Sequence, residues 1–286
     1  MSNLTLGVDA GNYSAKVAGP YGVDTYRTAI CDWFSRNVGE TWGEDDMEFE
    51  IDGRRGYAGT IAVYEDPFGG GAMYGESKVH EDTKIRVLLA LHRYINKYAP
   101  GTTHVSLVTG QPIKTHTPEE KDALSHMLRG THEFTVNGVK RKLTVVDAGV
   151  APEGSGAFWS NPQDSLTRII DCGSGTINCA TLLDKRHINA QSRTFNYGME
   201  TVDSSDLSTV ARAITRNITE LKWRKSDDIY VCGGVANAIL PHLATQLTNV
   251  KALVPQLYLA EGYMESHDPV YANAIGFYEI ARLAFG

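Results

Sequence analysis

Two stretches of the chain, 162 positions apart, share one short pattern: a mostly apolar run ending in aspartate, a small residue, a glycine, and a second apolar run. The first is Leu4-Thr-Leu-Gly-Val-Asp9, then Ala10-Gly11-Asn12, then Tyr13 to Val17. The second is Leu166 to Asp171, then Cys172-Gly173-Ser174-Gly175, then Thr176 to Leu183. Each reads as two short strands joined by a tight turn. A third strand is expected after each, near Gly22 to Ile30 and near Ile188 to Thr194. Asp-x-Gly hairpins also arise by coincidence in β-rich chains, but recurrence of the same order of elements is the mark of a duplicated unit. A chain of 286 residues has room for two related halves.

Between the two patterns, helical and strand signals alternate, which predicts an α/β class with helices packed on sheets. From Glu81 to Tyr98, Ile85, Leu88, Leu89, His92 and Ile95 recur at near-helical spacing, and Val105 to Val108 follows as a buried strand. Thr117-Pro118-Glu119-Glu120 opens another helix, with Thr117 as cap, Pro118 in the first turn and Glu120 completing a capping box. Leu143 to Val146 and Ile229 to Cys232 read as strands. Asp203 to Leu221, Ala236 to Leu247 and about Pro269 to Ala284 read as helices. The glycine-rich stretch Phe68 to Ala72, beside Gly75, is expected to be an exposed loop, since no strand feeds it directly.

Bulk properties narrow the function. A formal charge of -7 and a pI near 5.7 argue against broad contact with phosphate backbones, which needs clustered Lys and Arg. Four cysteines, Cys31, Cys172, Cys179 and Cys232, form no CxxC pair and are expected as buried free thiols in a reducing compartment. Met1 to Leu6 lacks a basic, apolar leader and no run approaches the ~20 apolar residues of a membrane span, so a cytoplasmic protein is expected. Nine histidines show no HExxH or other metal-ligand spacing, which makes a metal hydrolase a poor fit.

The hairpins carry the chemistry. A turn such as Asp9-Ala-Gly-Asn12 offers several amides to one anion, with small residues that allow close approach. Two such turns face to face would grip a phosphate chain, and Asp9 and Asp171 would supply carboxylates to a hydrated Mg²⁺, which needs only one or two from the protein. Lys16, on the outgoing strand, either reaches a phosphate or stands solvated on an edge strand. Ile229 to Cys232 runs into Gly233-Gly234-Val235-Ala236-Asn237, a strand-to-helix turn that either serves a ligand at the helix N-terminus or simply turns the chain.

Taken together, Asp9-Ala-Gly-Asn, Asp171-Cys-Gly-Ser-Gly-Thr and Cys232-Gly-Gly-Val-Ala resemble, in order, the two phosphate motifs and the adenosine motif of the actin, Hsp70 and sugar-kinase superfamily. Val108-Thr-Gly-Gln-Pro112, Ala151-Pro-Glu-Gly154 through Phe158, and Tyr271-Ala-Asn-Ala-Ile-Gly-Phe277 are similar to the plasmid-segregating ParM branch of bacterial actins. The resemblance implies an actin-like (ribonuclease H-like) fold of two duplicated domains, 1–160 and 161–286, around a nucleotide cleft. In it, an outer insertion covers about 31–80 and the last helix packs back on the first half. It implies binding of ATP or GTP with Mg²⁺: Asp9 and Asp171 would organise the metal and the attacking water. Gly11, Asn12, Tyr13, Lys16, Gly173, Ser174, Gly175 and Thr176 would hold the phosphates, and Gly233, Gly234 and Val235 the adenosine. Glu153 stands where the ParM-like branch carries a water-orienting glutamate, although a helix-capping role is open to it.

The same resemblance implies a hydrolase that polymerises with copies of itself for plasmid or phage-DNA segregation, through a DNA-binding adaptor of the ParR type and without touching DNA or membrane. One departure stands out. Cys232 follows Asp171 by only 61 positions, too few for the usual outer subdomain of the second half, as in the short AlfA-type actins. The alternatives are a small-molecule kinase of the same superfamily, for which Asp24 and Asp32 are weak candidate carboxylates better read as solvated, and a non-polymerising nucleotide-binding scaffold. A membrane-attached scaffold lacks support, because Asn273 to Gly286 carries only Arg282 as a base. A chaperone is set aside because no substrate domain follows Gly286.

Overall fold

The computed structural model describes residues 3–66, 77–202 and 206–286. The glycine-rich stretch Phe68 to Ala72 with Gly75, and Asp203, lie outside the described residues. The first part of the chain forms β1 (Leu4–Ala10), β2 (Ser14–Gly19), β3 (Gly22–Arg27), β4 (Ile30–Asp32), β5 (Met47–Ile51), β6 (Arg54–Ala58) and α1 (Thr60–Glu65). It continues with α2 (Glu81–Tyr98), β7 (His104–Gln111), α3 (Pro118–Leu128), β8 (Gly130–Val136) and β9 (Val139–Pro152). These strands make one sheet in the order β3-β2-β1-β7-β9-β8-β5-β6-β4, in which β1, β7 and β9 run parallel.

After α4 (Ser155–Phe158) the plan returns. β10 (Thr167–Cys172), β11 (Ile177–Leu183), β12 (Arg186–His187), β13 (Arg193–Phe195), α5 (Leu207–Glu220), β14 (Asp228–Gly233), α6 (Ala236–Ala244) and β15 (Val250–Ala252) follow. The second sheet has the order β12-β11-β10-β14-β15, with β13 also on β11 and with β10, β14 and β15 parallel. Both sheets thus repeat one sequence of steps: a hairpin, a helical crossover to a parallel strand, and a second helix leading to another parallel strand. In the first, β4, β5, β6 and α1 are inserted before the crossover helix, and the antiparallel β8 stands between α3 and the parallel β9. Between β13 and α5 the described residues hold no helix or strand. A small hairpin, β16 (Gln256–Tyr258) with β17 (Met264–Ser266), precedes the closing helix α7 (Ala272–Phe285).

Helix α7 fixes the spacing of the assembly. It lies against β1, β2, β7 and α4, with Phe277 fully buried. The contact is backbone to backbone: a methyl added at Gly7 would meet Ala274 O at 2.1 Å, and one at Gly276 would meet Gly156 O at 1.9 Å. Only residues without a Cβ allow elements to approach this closely. The main core is formed by α2 on the first sheet, through Leu88, Leu89, Leu91, Tyr94 and Ile95 together with Leu6, Val105 and Leu107. Helix α2 has the expected bounds, but it is buried on more than one side, Arg86 and Asp82 included.

Five expectations change. The strand foreseen near Ile188 to Thr194 is broken into β12, a 3-10 turn at Asn189–Gln191 and β13. The break brings Gln191 Oε1 within 2.5 Å of the buried Arg168 guanidinium, which also donates to Thr181 and Asp227. A buried cation needs such acceptors more than an edge strand needs continuity. Thr117 caps α3 by accepting from Glu120 N, but the Glu120 carboxylate accepts from Ser77 Oγ at 2.7 Å instead of returning to the helix. Helix α5 starts at Leu207, capped by Asp206, and α6 ends at Ala244. Asp24 is not solvated: it is buried and paired with Arg93 at 2.8 Å. All four cysteines are free and buried. Among the described residues no helix is long and apolar enough to cross a membrane.

Replacing Gly276 by Ala is expected to destabilise the fold by about 2–3 kcal/mol, because neither backbone at this contact can yield without parting α7 from α4. Equilibrium urea unfolding measures it, and a midpoint unchanged from the parent protein contradicts the packing described.

Candidate functional site

The site lies where the hairpins of the two sheets meet. In the first, Asp9 near the end of β1 stands opposite Lys16 in β2, with Lys16 Nζ 3.5 Å from the Asp9 carboxylate and donating to Ser14 O. The turn's carbonyls are tied back: Thr28 Oγ1 reaches Gly11 O and Asn12 O, and Thr28 N donates to Tyr13 O. This leaves the turn's N–H groups as the polar atoms available to an anion. The second hairpin follows the same logic. Gly173 N closes the turn onto Thr176 O, while Gly173 O and Ser174 O accept from Met199 N and Glu200 N.

The hairpins are close together. A methyl on Gly175 would lie 3.8 Å from Asn12 Nδ2, and Asn12 Oδ1 accepts from Arg86 Nη1 at 2.9 Å. Glu153 enters at the end of β9, its N–H donating to Gln111 O. Its Oε2 accepts from Asn178 Nδ2 at 2.9 Å, and its Oε1 lies 3.8 Å from Lys78 Nζ. Lys78 Nζ also donates to Ala10 O at 2.9 Å, joining Glu153 to the first hairpin. Asn273, in the first turn of α7, donates to Asp171 Oδ2 at 2.9 Å and accepts from Gly154 N at 3.1 Å.

The parallel pairing of β14 with β10 sets Cys232 beside Asp171 and Gly233 beside Cys172. Gly233 has φ 94°, a left-handed conformation in which its missing Cβ would sit 2.3 Å from Cys172 O. Gly234 faces open space and Val235 begins α6. Just beyond is a cavity of about 410 Å³ lined by Asn237, Ala252, Ser266, His267, Asp268 and Tyr271. Every expected site residue lies on one of the two hairpins, on the β14–α6 turn or on Glu153's segment, but the Tyr13 ring is half-exposed, stacked against Arg27 at 3.7 Å from the ring centre.

The family model described as "Actin like proteins N terminal domain" matches residues 7–156. The chain belongs to the actin-like proteins. Its fold is also that of an AlfA filament bound to AMPPNP, at 21% identity over 96% of this chain and 95% of that one, TM-score 0.76. AlfA from B. subtilis plasmid pLS32, in a filament structure, matches at 20% identity over 99% and 100%, TM-score 0.78. The apo pSK41 ParM protein matches at 15% identity over 99% and 98%, TM-score 0.75. No curated protein matches the sequence.

The electrostatics of this actin-like cleft are dominated by three buried carboxylates, Asp9, Glu153 and Asp171. Burial pushes the Glu153 carboxyl up to about 7. Lys78 pulls it down, Asp9 and Asp171 push it further up, and the hydrogen bond from Asn178 opposes them. Burial likewise raises Asp171 to about 6, countered by Asn273, reinforced by Asp9 and countered again by Lys16 and Asn178. Such crowding of like charge is costly and typical of sites built for a ligand. Among the described residues no group of three or more His, Cys, Asp or Glu is arranged to hold a metal ion unaided.

Sequence reasoning missed Lys78, Asn178 and Thr28, and gave Asn273 no task beyond its place in a similar segment. None belongs to a turn motif. Lys78, Thr28 and Asn273 reach the site from other elements, so no local spacing marks them, whereas Asn178 faces Asp171 across the second hairpin as Lys16 faces Asp9 across the first, a match the repeat itself offered.

Glu153 carries a folded-state value above its ordinary 4.5, so its contribution to stability is fully present below about pH 4.5 and is lost as pH rises through about 7. Glu153→Gln is expected to remove on the order of 2–4 kcal/mol of this pH-dependent loss in the nucleotide-free protein. Urea unfolding at pH 5 and pH 8 measures it; an equally steep loss in the variant contradicts the assignment.

Proposed function

We propose that this protein is an actin-like nucleoside triphosphatase that polymerises into nucleotide-dependent filaments and serves plasmid or phage-DNA segregation. The observation that carries the reading is the opposition of the Asp9 and Asp171 hairpins across a few ångströms, with Glu153 between them. The likeness in fold to an AlfA filament bound to AMPPNP supports both the nucleotide and the assembly. Residues 1–160 and 161–286 act as the two units, and the nucleotide lies between them.

In this reading Gly11, Asn12, Tyr13, Ser174, Gly175 and Thr176 offer backbone amides to the phosphates, Gly173 closes the second turn around them, and Lys16 adds a point charge. Gly233, Gly234 and Val235 flank the adenosine, and the cavity beside Asn237 and His267 is roomy enough for a base. The donor set suits Mg²⁺: Asp9 and Asp171 are hard oxygen donors, too few to cage an ion, as expected where water and phosphate complete the shell. Bound there, Mg²⁺ would neutralise charge on the phosphates. Glu153 orients a water and accepts its proton, a positioning task that phosphoryl transfer depends on. Hydrolysis then weakens subunit contacts. The acidic filament works in the cytoplasm and meets its DNA through an adaptor of the ParR type. A kinase reading gains nothing from Asp24, which is locked in ion pairs with Arg93 and Lys97.

Glu153→Ala is expected to bind ATP or GTP with little change, to slow phosphate release by about 100-fold, and to prolong the assembled state. Fluorescent-nucleotide binding and released phosphate, followed together, measure this. Phosphate release at the parent rate removes Glu153 from the mechanism.

A further inference from the structure

Lys78 lies outside every motif, yet it is the cation next to Glu153. Its side chain is only 12% exposed. A lysine ammonium held this far from solvent needs partners, and it has two: Ala10 O, within the first hairpin, and Glu153 Oε1. The residues around it are pinned. Ser77 Oγ donates to Glu120 of α3 and accepts from Val79 N, and His80 caps α2 by accepting from Thr83 N. This explains why Glu120 abandons the capping box: its carboxylate anchors the segment that presents Lys78. The other oxygen of Glu153 is taken by Asn178 from the second sheet, so the carboxylate is held from both sides, by β11 and by the segment leading into α2.

From this geometry we infer that Lys78 is a positioning residue for Glu153, fixing which carboxylate oxygen faces the attacking water while linking it to the first phosphate hairpin. The inference rests on the hydrolytic reading of the cleft. The separation of 3.8 Å is longer than a hydrogen bond. Contacts of this kind are often long before substrate arrives, and an ammonium with rotatable donors can close the gap without moving the backbone. Lys78 acts through Glu153 and is not itself assigned a contact with the nucleotide.

The test is a cycle of Lys78→Met, Glu153→Gln and the double variant, with Lys78→Arg as the conservative control, read as kcat and KM for nucleotide hydrolysis. Lys78→Met is expected to lower kcat about 10- to 100-fold, with KM changed by less than about twofold. Lys78→Arg should recover most of the rate, and adding Lys78→Met to Glu153→Gln should cost nothing further, because both changes disable one unit. The inference is overturned by normal turnover in Lys78→Met, by a raised KM with intact kcat, or by an undiminished further loss in the double variant. Melting temperatures identify a variant that fails to fold; if Lys78→Met does so, Lys78→Gln takes its place and is read by the same criteria. Glu153→Gln alone reports on the underlying reading: if it hydrolyses at the parent rate, Glu153 is not the water-orienting group, and that failure is seen independently of Lys78.

Discussion

Three carboxylates of like charge are buried at one point, and the arrangement of the chain around them follows from keeping them there. Burial and mutual repulsion raise Glu153 and Asp171 well above their ordinary values, so the nucleotide-free fold tolerates this cluster only because each member is held by a specific donor. Asp9 has Lys16, Asp171 has Asn273, and Glu153 has Asn178 and Lys78. Those donors come from β2, α7, β11 and the approach to α2, so the cleft ties together the two sheets and the closing helix. Asn273 is the most economical of them, since one amide joins Asp171 of the second sheet to the Gly154 turn that follows Glu153. The close glycine contacts of α7 serve the same end by setting how near Asn273 comes.

Much of this was legible in the sequence, because strand ends and tight turns have local signatures. Asp9, Gly11, Asp171, Gly175 and the Gly233-Gly234 turn declared themselves by spacing, and α2 by its apolar period. Other features carried signals that went unread. The β5–β6 and β8–β9 hairpins turn at Asp52-Gly53 and Asn137-Gly138, all four with positive φ, the pairings that favour tight hairpins. Some features had no local signal. The break between β12 and β13 answers to Arg168, some twenty residues earlier in the chain and across the sheet, and Glu120 answers to Ser77. Asn178 did have one, since it faces Asp171 as Lys16 faces Asp9, but Lys78 matters only through what the fold places beside it. Tertiary partners decide these cases, and a single sequence does not display them.

The two repeats differ most in what they insert. The first extends its sheet with β4, β5 and β6 beyond β8, and the second passes from β13 to α5 with no helix or strand among the described residues. On that side the proposed nucleotide would be flanked by the α6 turn and by the segment leading into α7, where His267 and Asp268 line the cavity. An actin-like cleft with one wall lowered has fewer groups with which to enclose a base, which places more of the proposed nucleotide dependence on the phosphates, on Mg²⁺ and on the Asp9 and Asp171 hairpins.

In the proposed function, triphosphate binding in this cleft drives assembly and its hydrolysis reverses it. Sedimentation and light scattering of the purified protein with Mg²⁺-ATP, Mg²⁺-GTP, ADP or no nucleotide, with phosphate release followed in parallel, test it most directly. Assembly is expected with a triphosphate alone, decaying as phosphate appears; nucleotide turnover with no assembly at any protein concentration rules the proposal out.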